Sequence, residues 1–348
     1  MTLKKKKKKT ANTAIRWIFL SGLAVLVYLL YILFAPNISP RDDKKAFLYI
    51  PEKSTFNDVT KLIMKDANIF NVSSFNQVAL ILHYGSKIRP GRYEIKAGMN
   101  NFEFLRILRS GRQTPVRLTF NNIRTKEQLA SRIGFQLMAD SVSILKLLND
   151  PIYLAHYNLT PQTAIAIFIP NTYEVFWNLN AHQLFERMYL EYNKFWTDER
   201  KAKAEAIPLT KVEVCTLASI VEEETNNKED RPMVAGLYIN RLKADMPLQA
   251  DPTLKFAVGD FSLKRIGIKQ ILYISPYNTY RNHGLPPGPI RVSTENGIDA
   301  VLNYTHHNFI YMCASETLNG KHKFASNWSE HLANARKYQQ KLDQLNIH

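Results

Sequence analysis

Cysteine is scarce in this sequence, with only two among 348 residues. A small scaffold held together by several disulfides is therefore excluded. Cys215 lies in an apolar helical pattern and Cys313 in an apolar run, so two buried thiols are favoured over a disulfide, although their pairing stays open. The nine histidines are scattered without metal-ligand spacing, so we expect no bound metal.

Acidic residues are fewer than basic ones, 30 against 46, and the formal net charge is +16. Seven of these charges come from Lys4 to Lys9 and Arg16, which leaves nine for the rest of the chain. No basic run follows beyond short pairs, so the charge does not predict nucleic-acid binding. Lysines beside an apolar span are better explained as residues that orient the span in a membrane and contact anionic lipid.

Charged residues are absent from Trp17 to Ala35, a run of nineteen. As a helix this run would measure about 28 Å, close to the roughly 30 Å hydrocarbon core of a bilayer. A signal peptide is the competing interpretation, but its apolar region would be shorter and followed by a better cleavage pattern. We expect a basic cytoplasmic tail over 1–13, an uncleaved transmembrane helix over 14–35, a linker over 36–45, and an extracytoplasmic remainder.

The remaining sequence predicts an α+β fold in three parts. Residues 46–120 give a small strand-helix-helix-strand subdomain, residues 121–205 a mainly helical connecting region, and residues 206–348 the domain that carries the chemistry. In the first part we expect Thr55 and Asp58 to cap one helix, Ser74 to cap the next, and Gly111 to end a third.

A mostly apolar helix that begins at Lys211, after a capping box of Thr210 and Glu213, runs into three acids. Three acids at a helix end usually form a solvated terminus, and they are slightly unfavourable there. The small free-energy cost of placing acids at this helix end favours a functional explanation for them without establishing one.

Helical periodicity separates the three acids. Glu223 lies opposite the apolar face and is expected to be solvated. Glu222 stacks over small residues, which leaves room for a ligand, whereas Glu224 stacks over larger ones. Periodicity therefore mildly favours Glu222 as the functional acid.

Loops rich in polar, aromatic, glycine and proline residues follow within seventy positions of these acids. We expect them to build a sugar-sized cleft beside the helix end. The candidate substrate-binding residues are Gln249, Asp251, Thr253, Tyr277, Asn278, Thr279, Tyr280, Pro287, Gly288 and Asn327.

The order of these motifs closely resembles the endolytic murein transglycosylase family, also called YceG-like. The motifs that carry the resemblance are 218–225, 240–242, 249–253, 277–280 and 284–290, and it extends over roughly residues 46–340. This sequence departs from the family pattern at Asn171, at Val292 to Thr294 and at Leu332.

The resemblance implies a peptidoglycan lytic transglycosylase that cuts the bond between N-acetylmuramic acid and N-acetylglucosamine inside glycan strands. In the family the catalytic acid is the first one after the Ala-Ser-Ile-Val run, which implies Glu222 as general acid and base. The resemblance also implies a LysM-like fold for 46–120, an inner-membrane location, and action on nascent strands near glycan polymerases such as penicillin-binding proteins. The chemistry needs no cofactor.

Two alternatives remain open from sequence. A membrane-anchored peptidoglycan-binding or scaffold protein would bind glycan without cleaving it. A true peptidoglycan hydrolase would use a second carboxylate, for which Asp251 is the candidate.

Overall fold

The computed structural model describes residues 2–41, 46–263 and 265–345. Met1 of the expected tail, residues 42–45 of the expected linker and residues 346–348 of the expected catalytic domain lie outside these ranges. The chain divides into two compact units, residues 1–117 with 174–179, and residues 118–173 with 180–348. Most of the expected connecting region thus belongs to the second unit. The predicted α+β class is confirmed by the mixture of helices and small sheets.

In its described residues, the first unit combines one long α-helix with three shorter α-helices and five short strands. Its elements are α1 (Thr2–Phe34), β1 (Pro36–Pro40), β2 (Ala46–Ile50), α2 (Phe56–Asp66), β3 (Ala67–Ile69), α3 (Val72–Ile81), β4 (Gly91–Ile95), β5 (Met99–Asn100) and α4 (Asn101–Ser110). The strands form a sheet of order β3-β1-β5 and an antiparallel pair of β2 with β4. The strand-helix-helix-strand order predicted for this part is present, and its assignment as LysM-like stays a prediction.

Local capping explains where several of these helices begin and end. Thr55 and Asp58 form the predicted capping box of α2, and Gly111 ends α4 in the left-handed conformation that glycine adopts readily. The prediction for α3 is wrong by three residues. Asn71 is its N-cap, and the Asn71 side chain accepts a hydrogen bond from the Ser74 amide at 2.9 Å.

The segment expected as a linker off the helix is partly a strand. Ile38 in β1 is fully buried and pairs with Ile69 and Met99 on its two sides. The Asn37 side chain is buried as well, and it donates to the Asn101 side chain at 2.7 Å and to the Asn71 carbonyl at 3.0 Å. Residues 36–40 therefore fix the end of α1 to the unit instead of spacing it away.

The helix α1 contains one segment, Thr13–Phe34, that is long and apolar enough to cross a membrane by length and composition. Most of its large apolar side chains are exposed. Its last two turns are different, because Ile32 is buried and Leu29 and Leu33 pack against the core of the unit. The Tyr28 hydroxyl donates to the Gln77 side chain at 2.9 Å.

The second unit is mainly helical and is built around a buried helix. The chain enters it through β6 (Val116–Thr119), which pairs with β7 (Thr172–Val175). Its helices are α5 (Lys126–Gly134), α6 (Ser141–Leu148), α7 (Pro151–Ala155), α8 (Ala181–Phe195), α9 (Asp198–Ala206), α10 (Lys211–Glu224), α11 (Arg231–Lys243), α12 (Asp251–Val258), α13 (Ile268–Ile271), α14 (Glu295–Leu302) and α15 (Trp328–Gln344). A hairpin of β8 (Tyr311–Ala314) and β9 (His322–Ala325) packs against α15.

The buried helix is α10, which packs against α11, α12 and α14. It begins at Lys211 behind the predicted capping box of Thr210 and Glu213, so that prediction is confirmed. Every residue from Val214 to Glu222 is buried. The helix ends at Glu224, so its last turn carries three acids, of which Glu222 is still within this core.

Candidate active site

Two cavities meet at the end of α10. The first has a volume of about 320 Å³ and the second about 380 Å³, both within the range of small-ligand sites. They share Glu224, Ala314 and His322 in their walls. Ala314 and His322 face each other across the β8–β9 pair, so the end of this hairpin forms the wall where the cavities join.

Glu224 is the acid at this junction. Its carboxylate accepts a hydrogen bond from the Tyr238 hydroxyl at 3.2 Å, and part of its surface opens to the cavities. Burial raises the pKa of the Glu224 carboxyl above its ordinary value; His322 opposes this shift, and the negative charge of Asp251 adds to it. The site thus favours the protonated form of a carboxyl group that faces open space.

Glu222 lies in different surroundings and lines neither of these cavities. Its side chain is 1% exposed and pairs with Arg231 at 3.3 Å. The Thr294 amide donates to one carboxylate oxygen at 2.9 Å, and the Thr294 hydroxyl donates to the other at 2.5 Å. Gly297 packs directly behind, since a Cβ there would stand 2.4 Å from the Glu222 carboxyl carbon.

The position of Glu222, at neither cavity, does not support the prediction from the sequence that it is the functional acid. The small residues beneath Glu222 do leave room, but α14 and the residue before it fill that room. Glu222 therefore joins α10 to α11 and α14, and the acid two positions later faces the cleft.

Glu223 is not the solvated acid that periodicity predicted. Its carboxylate pairs with Arg124 at 2.9 Å and with Arg291 at 2.9 Å, and its side chain is only 16% exposed. The three acids therefore do three things: one joins helices, one binds two arginines, and one reaches the cavities.

Three of the ten predicted substrate-binding residues line the first cavity, namely Gln249, Asp251 and Tyr280. The Tyr280 hydroxyl donates to the Asp251 carboxylate at 2.5 Å. Gln249 has a positive φ of 50°, and its side-chain oxygen accepts from Arg241 at 3.2 Å. Asp251 is thus a second carboxylate in the same cavity as Glu224.

Three more of the predicted residues are buried and hold this wall together. The Thr279 hydroxyl accepts from the Ala250 amide at 3.0 Å and bonds Thr253 at 2.8 Å. The Asn278 side chain donates to the carbonyls of Ile271 and Tyr273 at 2.9 and 2.7 Å. Their polar groups are satisfied by hydrogen bonds within the protein, and their role in substrate binding stays a prediction.

The other four predicted residues lie elsewhere, and none lines either cavity. Tyr277 packs its ring on Phe256 at 4.7 Å, and burial raises its pKa to about 12. Asn327 caps α15 by accepting from the Glu330 amide at 2.9 Å. Pro287 is exposed in the turn before Gly288. Gly288 allows a close backbone approach, but to Gln162, since a Cβ there would stand 2.2 Å from the Gln162 carbonyl oxygen.

Several cavity residues were missed as binding residues from the sequence. They are Glu224, Tyr238, Arg241, Tyr311, His322, Trp328 and His331. A signal existed for Glu224 and Arg241, which lie in two of the motifs that carry the family resemblance, 218–225 and 240–242. Tyr238 has no such signal.

Two of these missed residues are held in place by built contacts. The Asp230 carboxylate bonds His322 twice, through the ring Nδ1 at 2.7 Å and the backbone amide at 2.8 Å. Arg241 donates to the carbonyls of Leu248 and Ile310 at 2.9 and 2.7 Å. Asp230 thus orients a ring at the junction, while Arg241 fixes the loop that presents Gln249.

The described part of the chain offers no metal site of the usual kind. Among residues 2–41, 46–263 and 265–345, no group of three or more His, Cys, Asp or Glu side chains is arranged to hold a metal ion. The arrangement that is present is one carboxyl group of raised pKa, a second carboxyl group, and aromatic and polar walls. Such a set is suited to acid-base chemistry on a polar ligand.

Comparisons with known proteins agree with the sequence resemblance. Residues 48–337 match the YceG-like family. Two relatives from Streptococcus pneumoniae strains R6 and D39, each named endolytic murein transglycosylase, are 27% identical over 90% of this chain and 62% of their own length. A relative of the same name from Bacillus subtilis is 40% identical over 35% of this chain and 33% of its own.

One solved structure is similar as well. The crystal structure of a yceG-like protein from Listeria monocytogenes superposes with a TM-score of 0.54 at 26% identity, covering 84% of this chain and 99% of that one. This chain spans less than two thirds of the length of the pneumococcal relatives. Because the family match extends over most of the sequence, this chain belongs to the YceG-like family.

Proposed function

We propose that this protein is a membrane-anchored lytic transglycosylase that cuts peptidoglycan strands internally, with Glu224 as its general acid and base. The observation that carries the proposal is the position of Glu224, a carboxyl of raised pKa at the junction of two cavities. A strand that runs through both cavities would place an internal glycosidic bond beside this acid. The names of the relatives support the choice of peptidoglycan as substrate.

The proposed reaction needs one carboxyl group. Protonated Glu224 donates its proton to the glycosidic oxygen as the bond from that oxygen to C1 of N-acetylmuramic acid breaks. The Glu224 anion then takes the proton of the C6 hydroxyl on the same sugar, and O6 bonds to C1. The product is a 1,6-anhydro ring, the acid is regenerated, and no water is consumed. The nucleophile is already part of the substrate, so proximity replaces a second catalytic carboxylate.

The cavity walls have the chemistry that a glycan needs. Tyr311 and Trp328 offer aromatic faces in the first cavity, and Asp251 and Gln249 offer hydrogen-bond acceptors. Lys321 and Ser315 line the second. His322, oriented by Asp230, lines both cavities, as Glu224 does.

The membrane part of the proposal rests on the apolar segment of α1 and on the lysines that precede this segment. The apolar segment Thr13–Phe34 would span the inner membrane, with the basic tail in the cytoplasm and the remainder outside. Cleavage would then occur on nascent strands near the membrane, beside glycan polymerases such as penicillin-binding proteins. The subdomain of residues 46–120 is proposed as LysM-like on its element order alone.

The reaction is tested by mass spectrometry of uncrosslinked peptidoglycan strands after incubation with the detergent-solubilised protein, beside Glu224→Gln. We expect internal fragments with 1,6-anhydro ends from the wild type and none from the variant. Strands that stay intact but bind both proteins equally would instead support the scaffold alternative.

A hydrolase is the second candidate because Asp251 lines the same cavity as Glu224. Hydrolysis would place a water between the two carboxylates and leave reducing ends. A hydrolase would be indicated by reducing ends that form with the wild type and are absent with Asp251→Asn. Anhydro ends that persist in Asp251→Asn contradict this candidate.

A further inference from the structure

The apolar part of α1 that stands free of the first unit is too short to cross a bilayer. From Thr13 to Val27 there are fifteen residues, which measure about 22 Å as a helix against a hydrocarbon core of roughly 30 Å. From Tyr28 onward the helix lies against protein, through the Tyr28–Gln77 hydrogen bond and the buried side chain of Ile32. Part of the hydrocarbon thickness must therefore lie at the level where α1 already packs on the first unit.

Helix α3 lies beside this stretch and runs back along it. At its start, Asn71 and Ser74 bond Asn37, which follows the end of α1. About one turn later, Gln77 bonds Tyr28, which lies before the end of α1. The last turn of α3 is therefore the part of that helix that lies farthest back along α1, toward the middle of the apolar span.

The last two side chains of this turn, those of Leu80 and Ile81, are apolar and exposed, whereas Val78 and Ala79 are buried. Leu80 is 72% exposed and Ile81 is 51% exposed. No Asp, Glu, Lys or Arg occurs from Ala67 to Ser86, and Lys87 is the first charge after this run. An uncharged segment that exposes apolar side chains and is followed by a lysine has the composition of a segment lying at the boundary of acyl chains and headgroups.

We propose that the end of α3, meaning Leu80 and Ile81, is seated in the outer boundary of the lipid bilayer. The inference rests on the proposed membrane anchoring by α1. The end of α3 then supplies apolar surface at the level where α1 is already covered by protein. Two helices instead of one hold the first unit at the membrane, and the unit keeps a fixed orientation to the membrane plane.

The test places a fluorescent label at single cysteines of the full-length chain in vesicles of phosphatidylethanolamine and phosphatidylglycerol. Cys313→Ser provides the background, because Cys215 is fully buried and its thiol pKa is raised to about 12. The probes are Leu80→Cys and Ile81→Cys. The matched control is Phe70→Cys, since Phe70 is 73% exposed but precedes the opposite end of α3.

Lipids with a nitroxide on the acyl chain report contact with the bilayer interior. We expect labels at 80 and 81 to lose nearly as much fluorescence as a label introduced by Val25→Cys within the span, and the label at 70 to lose far less. Quenching at 25 alone overturns this inference and leaves the anchor standing. No quenching at 25 refutes the anchor itself. A blue-shifted but unquenched label at 80 would show that protein covers this surface, which also overturns the inference.

Discussion

The two glutamates Glu222 and Glu224 should respond in opposite ways to the same change, conversion to glutamine. Glu224→Gln removes the proposed proton donor, and the loss of a general acid lowers a rate by about 10²–10⁴-fold. Glu222→Gln leaves that donor in place. We therefore expect product formation to be lost in the first variant and retained in the second at temperatures where both are folded.

The stability of the second variant follows from the contacts of Glu222. Its side chain is 1% exposed, and its ion-pair partner Arg231 has a side chain that is 11% exposed. Removing one partner of a buried pair costs about 3–5 kcal/mol, and we take about 3 because an amide can keep hydrogen bonds to Thr294. For a unit of about this size, such a cost lowers the melting temperature by about 6–12 °C.

The first variant should change stability with the opposite sign. A carboxyl whose folded pKa lies above its unfolded value stabilises the fold fully below the unfolded pKa, and that contribution is lost as pH rises through the folded pKa. The raised pKa of Glu224 therefore means that the folded protein holds an unfavourable buried anion at high pH. Glu224→Gln removes this cost, so at high pH the variant should have a higher melting temperature than the wild type. At about pH 4, near the ordinary glutamate pKa, its melting temperature should be no higher than that of the wild type.

The assay combines calorimetric melting with mass spectrometry of anhydro ends. Glu205→Gln is the control, since Glu205 is exposed on α9 and its conversion should change neither quantity. If Glu222→Gln were folded but inactive while Glu224→Gln kept its activity, the assignment of the two acids would be refuted.

Three further predictions follow from the site and its supports. Initial rates should fall as pH rises through the raised pKa of Glu224, because only the protonated acid can donate, and rates that increase over that range would contradict the mechanism. Asp230→Asn should lower kcat with little change in KM, since it loosens the His322 ring without removing a cavity wall, and an unchanged kcat would refute this positioning role. Gly288→Ala should destabilise the fold by about 1–3 kcal/mol through backbone overlap. Gly85→Ala, which meets no atom closer than 3.8 Å, serves as its control in denaturant unfolding, and equal midpoints would contradict the packing argument.

Features set by neighbouring residues could be predicted from the sequence. The capping box of Thr210 and Glu213 is local, and so is the glycine that ends α4. The apolar helix that ends in acids, and the loops that surround its end, were also predictable as a group. These features need only helical periodicity and hydrogen bonds that reach three residues along the chain.

The choice among the three acids could not be made in the same way. Helical periodicity shows which side of α10 each acid occupies, but it does not show what occupies the opposite space. Thr294 and Gly297 come to Glu222 from more than seventy positions away. The same limit applies to the polar residues around Thr279. The sequence does not show that these residues form hydrogen bonds with one another.

The contact between Glu222 and Gly297 has a consequence for how proteins of the YceG-like family should be mutated. The main chain of α14 lies so close to the Glu222 side chain that even one methyl group would not fit between them. Glu224 follows two residues later on the same helix. The packing of Gly297 on Glu222 therefore helps to fix the position of Glu224. A mutational scan that scored only activity would mark Gly297 as a catalytic position, although it packs on Glu222 and lines neither cavity. Pairing each activity measurement with a melting curve distinguishes a residue that fixes the position of the helix from the acid that the helix carries.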